Sequence, residues 1–210
     1  MCNMSKVLDF SADNDNEPDR NGEYTSATLD AGPLPESFTI CSAIMVDAWT
    51  TEFSAGGMFL LLDVDGDQWG YISLYAAGSY TEYNVKLGPV YFDKQTESKF
   101  FPLQWRRVCL SLDSVAGKVR VVVNGQMLGE EEYNRESDKY RPANLSLMLG
   151  YDPFNVAEFT VKIANLNVFN SSLSSERMVG LTRAGEEECT WRSCQLGEGR
   201  VDLALSGKDD

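Results

Sequence analysis

Strict period-two alternation constrains this chain most. In KVRVVVNG, residues 118–125, Val119, Val121 and Val123 fall on one side and Lys118 and Arg120 on the other. Extended backbone sends successive side chains to opposite faces, so this is a strand with one buried face. RVCLSLD (107–113) sets Val108, Leu110 and Leu112 against Arg107, Cys109 and Ser111. FTICSAIMV (38–46) sets Ile40, Ile44 and Val46 against Thr39, Cys41 and Ala43. Further strands are expected over 7–10, 58–62, 70–75, 82–87, 145–149, 159–169 and 200–205. Turn-forming residues separate them at 114–117, at Asn124-Gly125 and at 150–153, and residues 11–22 read as a polar surface loop. Many short strands at this spacing stack as two antiparallel sheets or close into a barrel.

One helix interrupts the pattern. Ser174 is placed as its N-cap, Glu176 puts an acid in the first turn, and Leu173 and Met178 staple across the cap. Met178 and Leu181 supply a short apolar face, and Gly185 is placed to stop the helix after two or three turns.

Charge then excludes whole classes of function. Of 210 residues, 18 are Lys or Arg and 32 are Asp or Glu, for a net charge of −14. A surface that acidic repels phosphates and anionic lipid, so neither nucleic acid nor a membrane surface is an expected partner. There is no histidine. Its absence removes the commonest general base near neutral pH, any Ser-His or Cys-His nucleophile pair and most zinc chemistry. The longest apolar run, residues 58–62, is far short of the ~20 residues a spanning helix needs, so no membrane insertion of this chain is expected. The first residues lack a basic start followed by an apolar stretch. Sequons at Asn3, Asn144 and Asn170, together with five cysteines, suggest a mature extracellular form or an excised ectodomain.

Three segments carry a family resemblance. Ser37-Phe38-Thr39-Ile40-Cys41 is similar to an "FTVC" strand. Trp105-Arg106-Arg107-Val108-Cys109, then a Ser-containing turn and residues 119–125, is similar to a second-cysteine strand and its V-N-G hairpin. Ile163-Ala164-Asn165-Leu166-Asn167-Val168-Phe169, followed by Leu173-Ser174-Ser175-Glu176, is similar to a strand leading into "LSxxE". Trp191-Arg192 falls where a closing Trp-Arg is found. In this order and spacing the chain resembles the pentraxin and laminin-G group of concanavalin A-like sandwiches. The resemblance implies an all-β, two-sheet antiparallel jelly roll with one short helix near the C-terminal part, with residues 1–210 as a single domain.

The resemblance also implies a disulfide between Cys41 and Cys109; by themselves, the residues equally admit two buried thiols. Cys189 and Cys194 bracket CTWRSC and either pair together or leave one to Cys2. Members of the group often hold calcium through two acidic clusters. Asp63, Asp65, Asp67 and Gln68 stand where the first is expected, and they also read as a solvated turn with Gly66 at its tip. In the second, Asp152 alone keeps a carboxylate, and Lys162 stands where calcium-binding relatives tend to carry Asp. Calcium is therefore an open cofactor.

The residues 63–67 contain no Glu and end in a Gly turn, unlike the Glu-x-Asp-x-x-Glu strands of related glycan hydrolases, so no enzyme is expected. Runs of Glu at 130–132 and 186–188 read as solvated loops. Trp69, Tyr71 and Tyr75 share one face of a regular strand and, with Tyr151, form a candidate stacking platform; core packing is the alternative. The expected function is an extracellular, non-catalytic recognition module for a glycan, protein or phospho-ligand held on the concave sheet or the rim loops near residues 63–68 and 151–154, with oligomer formation open. The alternatives are the adhesion or ligand-sensing ectodomain of a larger receptor, and a calcium-dependent soluble pentraxin-like lectin.

Overall fold

The computed structural model describes residues 7–10, 27–33, 35–46, 53–62, 68–77, 80–96, 105–139, 141, 144–149 and 161–183. The strands are β1 (Val7–Phe10), β2 (Ala27–Pro33), β3 (Phe38–Val46), β4 (Phe53–Leu62), β5 (Gln68–Ala77), β6 (Tyr80–Leu87), β7 (Val90–Thr96), β8 (Arg106–Asp113), β9 (Lys118–Val123), β10 (Gln126–Glu132), β11 (Asn144–Leu149) and β12 (Val161–Phe169). One helix, α1 (Ser175–Thr182), follows β12. The strands form two six-stranded sheets, ordered β1-β12-β3-β8-β9-β10 and β2-β11-β4-β5-β6-β7, and every described pairing is antiparallel. This is the expected all-β sandwich.

The alternating apolar residues fill the space between the sheets. Ile40, Leu110, Leu112 and Val121 from one sheet pack with Ile72, Tyr83, Val85 and Leu147 from the other, all fully buried. Alternation predicted half-exposed strands, but β8 is buried on both faces along nearly its whole length. The reason is α1. Leu173, Met178 and Leu181 pack over Cys41, Cys109 and Val122, covering the outer side of β3, β8 and β9.

The hydroxyls trapped beneath find partners. Thr39 Oγ1 donates to Ser111 Oγ at 3.0 Å and accepts from the Leu173 amide at 3.0 Å. Ser174 caps the helix by accepting from the Arg177 amide, as its position predicted. At the other end the Gly125 amide donates to Thr182 Oγ1 and Arg107 Nη1 donates to the Arg183 carbonyl, so α1 is pinned to the Asn124-Gly125 turn.

Several elements differ from expectation. β2, β7 and β10 were not anticipated. Residues 130–132, expected as a solvated loop, belong to β10, where Glu130 accepts from Lys118 and Arg120 on the neighbouring β9. Cross-strand partners make these glutamates edge-strand residues. The expected strand at 200–205, the Gly185 helix stop and the glutamates at 186–188 lie outside the described residues.

Candidate functional site

Cys41 and Cys109 are ladder partners on β3 and β8 and are joined by a disulfide. The implied pairing stands. Both are fully buried beneath α1, so the bond ties two central strands under the helix. Cys2, Cys189 and Cys194 lie outside the described residues.

Trp69 is not part of an exposed platform. The register steps from Leu61↔Gly70 to Leu62↔Gln68, so Trp69 is an extra residue on β5. A bulge of this kind re-aims a side chain. Trp69 is 5% exposed and its ring lies 6.2 Å from that of Phe38, in the core. Its indole donates to Asp138, and the Arg141 guanidinium lies 5.6 Å from the ring. Tyr71 keeps the outward parity, opposite Lys86, but is only 6% exposed. Tyr75 pairs with Glu82 in the ladder, and its side chain lies outside the described set. Tyr151 is outside it too. The platform expected from Trp69 and Tyr71 is thus corrected to buried packing.

The open surface begins one strand further on. β6 and β7 join through Gly88 and Pro89, with Leu87 and Val90 as the last ladder pair. Thr81, Tyr83, Val85 and Leu87 point inward with Phe92, whereas Glu82, Asn84, Lys86, Tyr91, Asp93 and Gln95 lie on the other side, partly or fully exposed. Among the described residues Tyr91 is the most open aromatic, 58% exposed. Its hydroxyl donates to Asn84 Oδ1 at 3.2 Å, and Gln95 Nε2 donates to Glu82 Oε2 at 3.0 Å. Burial first, then the charges of Asp93 and Glu82, push the Tyr91 phenol pKa up, which places those carboxylates around it. The result is an aromatic ring set among planar amide and carboxylate groups, with Asn84, Gln95 and Glu82 hydrogen-bonded. Tyr91 was not singled out from the sequence. The alternation of Val90 and Phe92 against Tyr91, Asp93 and Gln95 after a Gly-Pro turn was the signal that identifies its face.

The calcium candidates Asp63, Asp65, Asp67 and Asp152 lie outside the described residues, and Gln68 is described as a ladder partner of Leu62. Among the described residues no three His, Cys, Asp or Glu side chains converge in a metal-binding group. Asn144 and Asn170, the described sequon residues, are both exposed. A concavity of about 380 Å³ opens beside the first turn of α1, lined in part by Asp113, Arg120 and Ser172. Of its charged groups, Arg120 pairs with both Asp113 and Glu130.

Residues 21–178 match the family model Laminin_G_3, described as the Concanavalin A-like lectin/glucanases superfamily. The chain belongs to this family. No curated protein matches this laminin G-type chain in sequence. Among solved structures it is similar to a native heptameric SAP-like pentraxin from Limulus polyphemus. The TM-score is 0.67 at 15% identity, covering 100% of this chain and 92% of the pentraxin. It is also similar to the Ruminococcus gnavus IT-sialidase CBM40 bound to alpha2,3 sialyllactose, with TM-score 0.50, 17% identity and coverage of 75% and 95%. The ligand binding domain of Botulinum neurotoxin serotype D, in complex with N-acetylneuraminic acid, gives TM-score 0.50 at 13% identity, covering 71% of this chain and 37% of that one. At these identities the likeness is one of fold.

Proposed function

We propose that this laminin G-type chain is an extracellular, non-catalytic recognition module that binds a glycan on the outward face of β6 and β7. The observation that carries the reading is the asymmetry of the sandwich. α1 and the loop before it cover the outer side of β3, β8 and β9, whereas β6 and β7 present Tyr91, Asn84, Asp93 and Gln95 to solvent. Sugars offer hydroxyl pairs to planar amides and carboxylates and an apolar C–H face to an aromatic ring. The surface supplies both within one hairpin.

Three further observations support the reading. The buried Cys41–Cys109 disulfide suits an oxidising compartment. Glu82 and Asp93 lie on one face of neighbouring strands, Glu82 held by Gln95, instead of flanking a cleft as hydrolytic carboxylate pairs do. The solved neighbours bound to sialyllactose and to N-acetylneuraminic acid lend the fold a precedent for sugar recognition.

The test is a glycan array probed with the full chain and with Tyr91→Ala and Asn84→Ala. Binding that both substitutions abolish, with the glycan recovered intact, supports the proposal. Binding that survives both removes the site from this face. Cleaved glycan would make the protein an enzyme, and a protein ligand captured with no glycan bound would favour the receptor-ectodomain reading.

A further inference from the structure

Resting on the glycan-binding reading above, we infer that the ligand is a neutral, hydroxyl-rich glycan and that the face discriminates against sialylated and sulfated ones. The argument is one of charge. Strands β2, β11, β4, β5, β6 and β7, which make up the whole sheet, contain no arginine. Their lysines are Lys86 and Lys94. Lys94 is turned to the sheet edge, where its Nζ lies 3.6 Å from Glu131 and 5.9 Å from the centre of the Phe92 ring. Lys86 is thus left facing Glu82 and Asp93 on the same side of the hairpin, flanked in the ladder by Tyr71 and Tyr91.

An anionic sugar needs the opposite arrangement. Carboxylate and sulfate groups are held by guanidinium forks or clustered ammonium groups, whose charge-assisted bonds offset the cost of stripping water from the anion. The described arginines lie elsewhere. Arg120 pairs with Asp113 and Glu130, Arg135 with Glu36, Arg107 reaches the Arg183 carbonyl and Arg141 the carbonyls of Pro35 and Glu36. Among the described residues, a ligand approaching β6 and β7 meets two carboxylates and one ammonium, within the field of a chain of net charge −14. A neutral hexose has no such penalty. Its hydroxyls can donate to Asp93 and Glu82 and accept from the Asn84 amide while its C–H face lies on Tyr91.

The experiment is an array in which each neutral glycan is printed beside its sialylated and sulfated counterparts, probed at low salt with the full chain. The expected result is binding to neutral members, stronger than to their acidic partners by roughly tenfold or more, and lost in Tyr91→Ala. In Asp93→Asn the gap between neutral and acidic members should narrow. Acidic glycans bound as well as or better than neutral ones, with Tyr91→Ala still abolishing binding, would overturn the inference and leave the site reading intact. Retention of neither class would overturn both.

Discussion

The indole N–H of Trp69 donates to the Asp138 carboxylate, 3.2 Å from one oxygen and 3.3 Å from the other. Asp138 also accepts from the Tyr133 hydroxyl at 2.7 Å, and Arg141 donates to that hydroxyl at 3.0 Å. Three remote segments therefore meet at one carboxylate, since Arg141 continues to the Pro35 and Glu36 carbonyls just before β3. Gly88 makes the approach possible: its φ is +56°, and a Cβ there would lie 2.7 Å from Asp138 Oδ2.

Asp138→Ala would leave the buried Trp69 N–H without its acceptor. An orphaned buried donor costs about 1–3 kcal/mol, so the urea midpoint should fall by that equivalent with an unchanged slope. Asp138→Asn, which keeps one acceptor oxygen, should cost about half as much. No change in midpoint for the alanine variant would show that the contact does not hold the sandwich end together.

The Cys41–Cys109 bond closes a separation of 68 residues. Chain-entropy arguments assign a loop of that length about 4 kcal/mol, the order by which Cys41→Ala/Cys109→Ala should lower stability. Because α1 covers the bond, reduction of the folded protein should be slow until α1 lifts. Met178→Ala, which opens a cavity over the disulfide, should speed reduction by dithiothreitol, followed by thiol alkylation and mass spectrometry. Equal rates in both proteins would mean that the sulfurs are reached without moving the helix.

How much of this was legible in the sequence depended on local regularity. Val119, Val121 and Val123 alternate without interruption, and their strand is where the alternation puts it. Ser174 and Glu176 mark a helix start through chemistry that acts within one turn. Trp69 was misplaced because its orientation is set by a bulge, which depends on how β4 and β5 pair and leaves no trace in the residues of β5 alone. The outer side of β8 was misread for a related reason. Arg107, Cys109 and Ser111 look like a solvated face until a helix some sixty residues later lies over them. Tyr91 had the right alternation beside it, but its openness depends on no described residue covering it, which is a tertiary fact.

Asp113 offers a pH test. Burial pushes its carboxyl upward, but the Ala116 amide, the Arg120 guanidinium and the Ser172 hydroxyl outweigh that and hold it below the usual range. A depressed folded pKa means stabilisation that is fully present above the unfolded value, about pH 4, and is lost as pH falls through the folded one. With the side chain partly exposed, the contribution at pH 7 should be no more than about 1 kcal/mol. Asp113→Asn should therefore lower stability near neutrality and match the parent protein once pH has fallen below the depressed folded pKa. A difference that persists undiminished in acid would assign the effect to packing and not to charge.

Metal removal separates the open face from the acidic turn. Asp63, Asp65 and Asp67 follow β4 at Leu62, whose ladder partners are Gln68 and Ser146. Asp152 follows β11 at Leu149, which pairs with Phe59. Leu62 and Leu149, the described residues that precede the two candidate clusters, stand at opposite ends of the β4–β11 ladder, three residues or about 10 Å apart along the strands. On the outward face of the Tyr91 hairpin, the described side-chain hydrogen bonds run between β6 and β7. Glycan binding is accordingly expected to be the same in EDTA and in millimolar calcium, with no shift in melting temperature between them. A ligand that binds only the native state raises the melting temperature once its concentration exceeds its dissociation constant. A rise with calcium that disappears in Asp67→Ala would therefore place an ion at the turn. Loss of glycan binding in EDTA would then move recognition from the Tyr91 face to that ion.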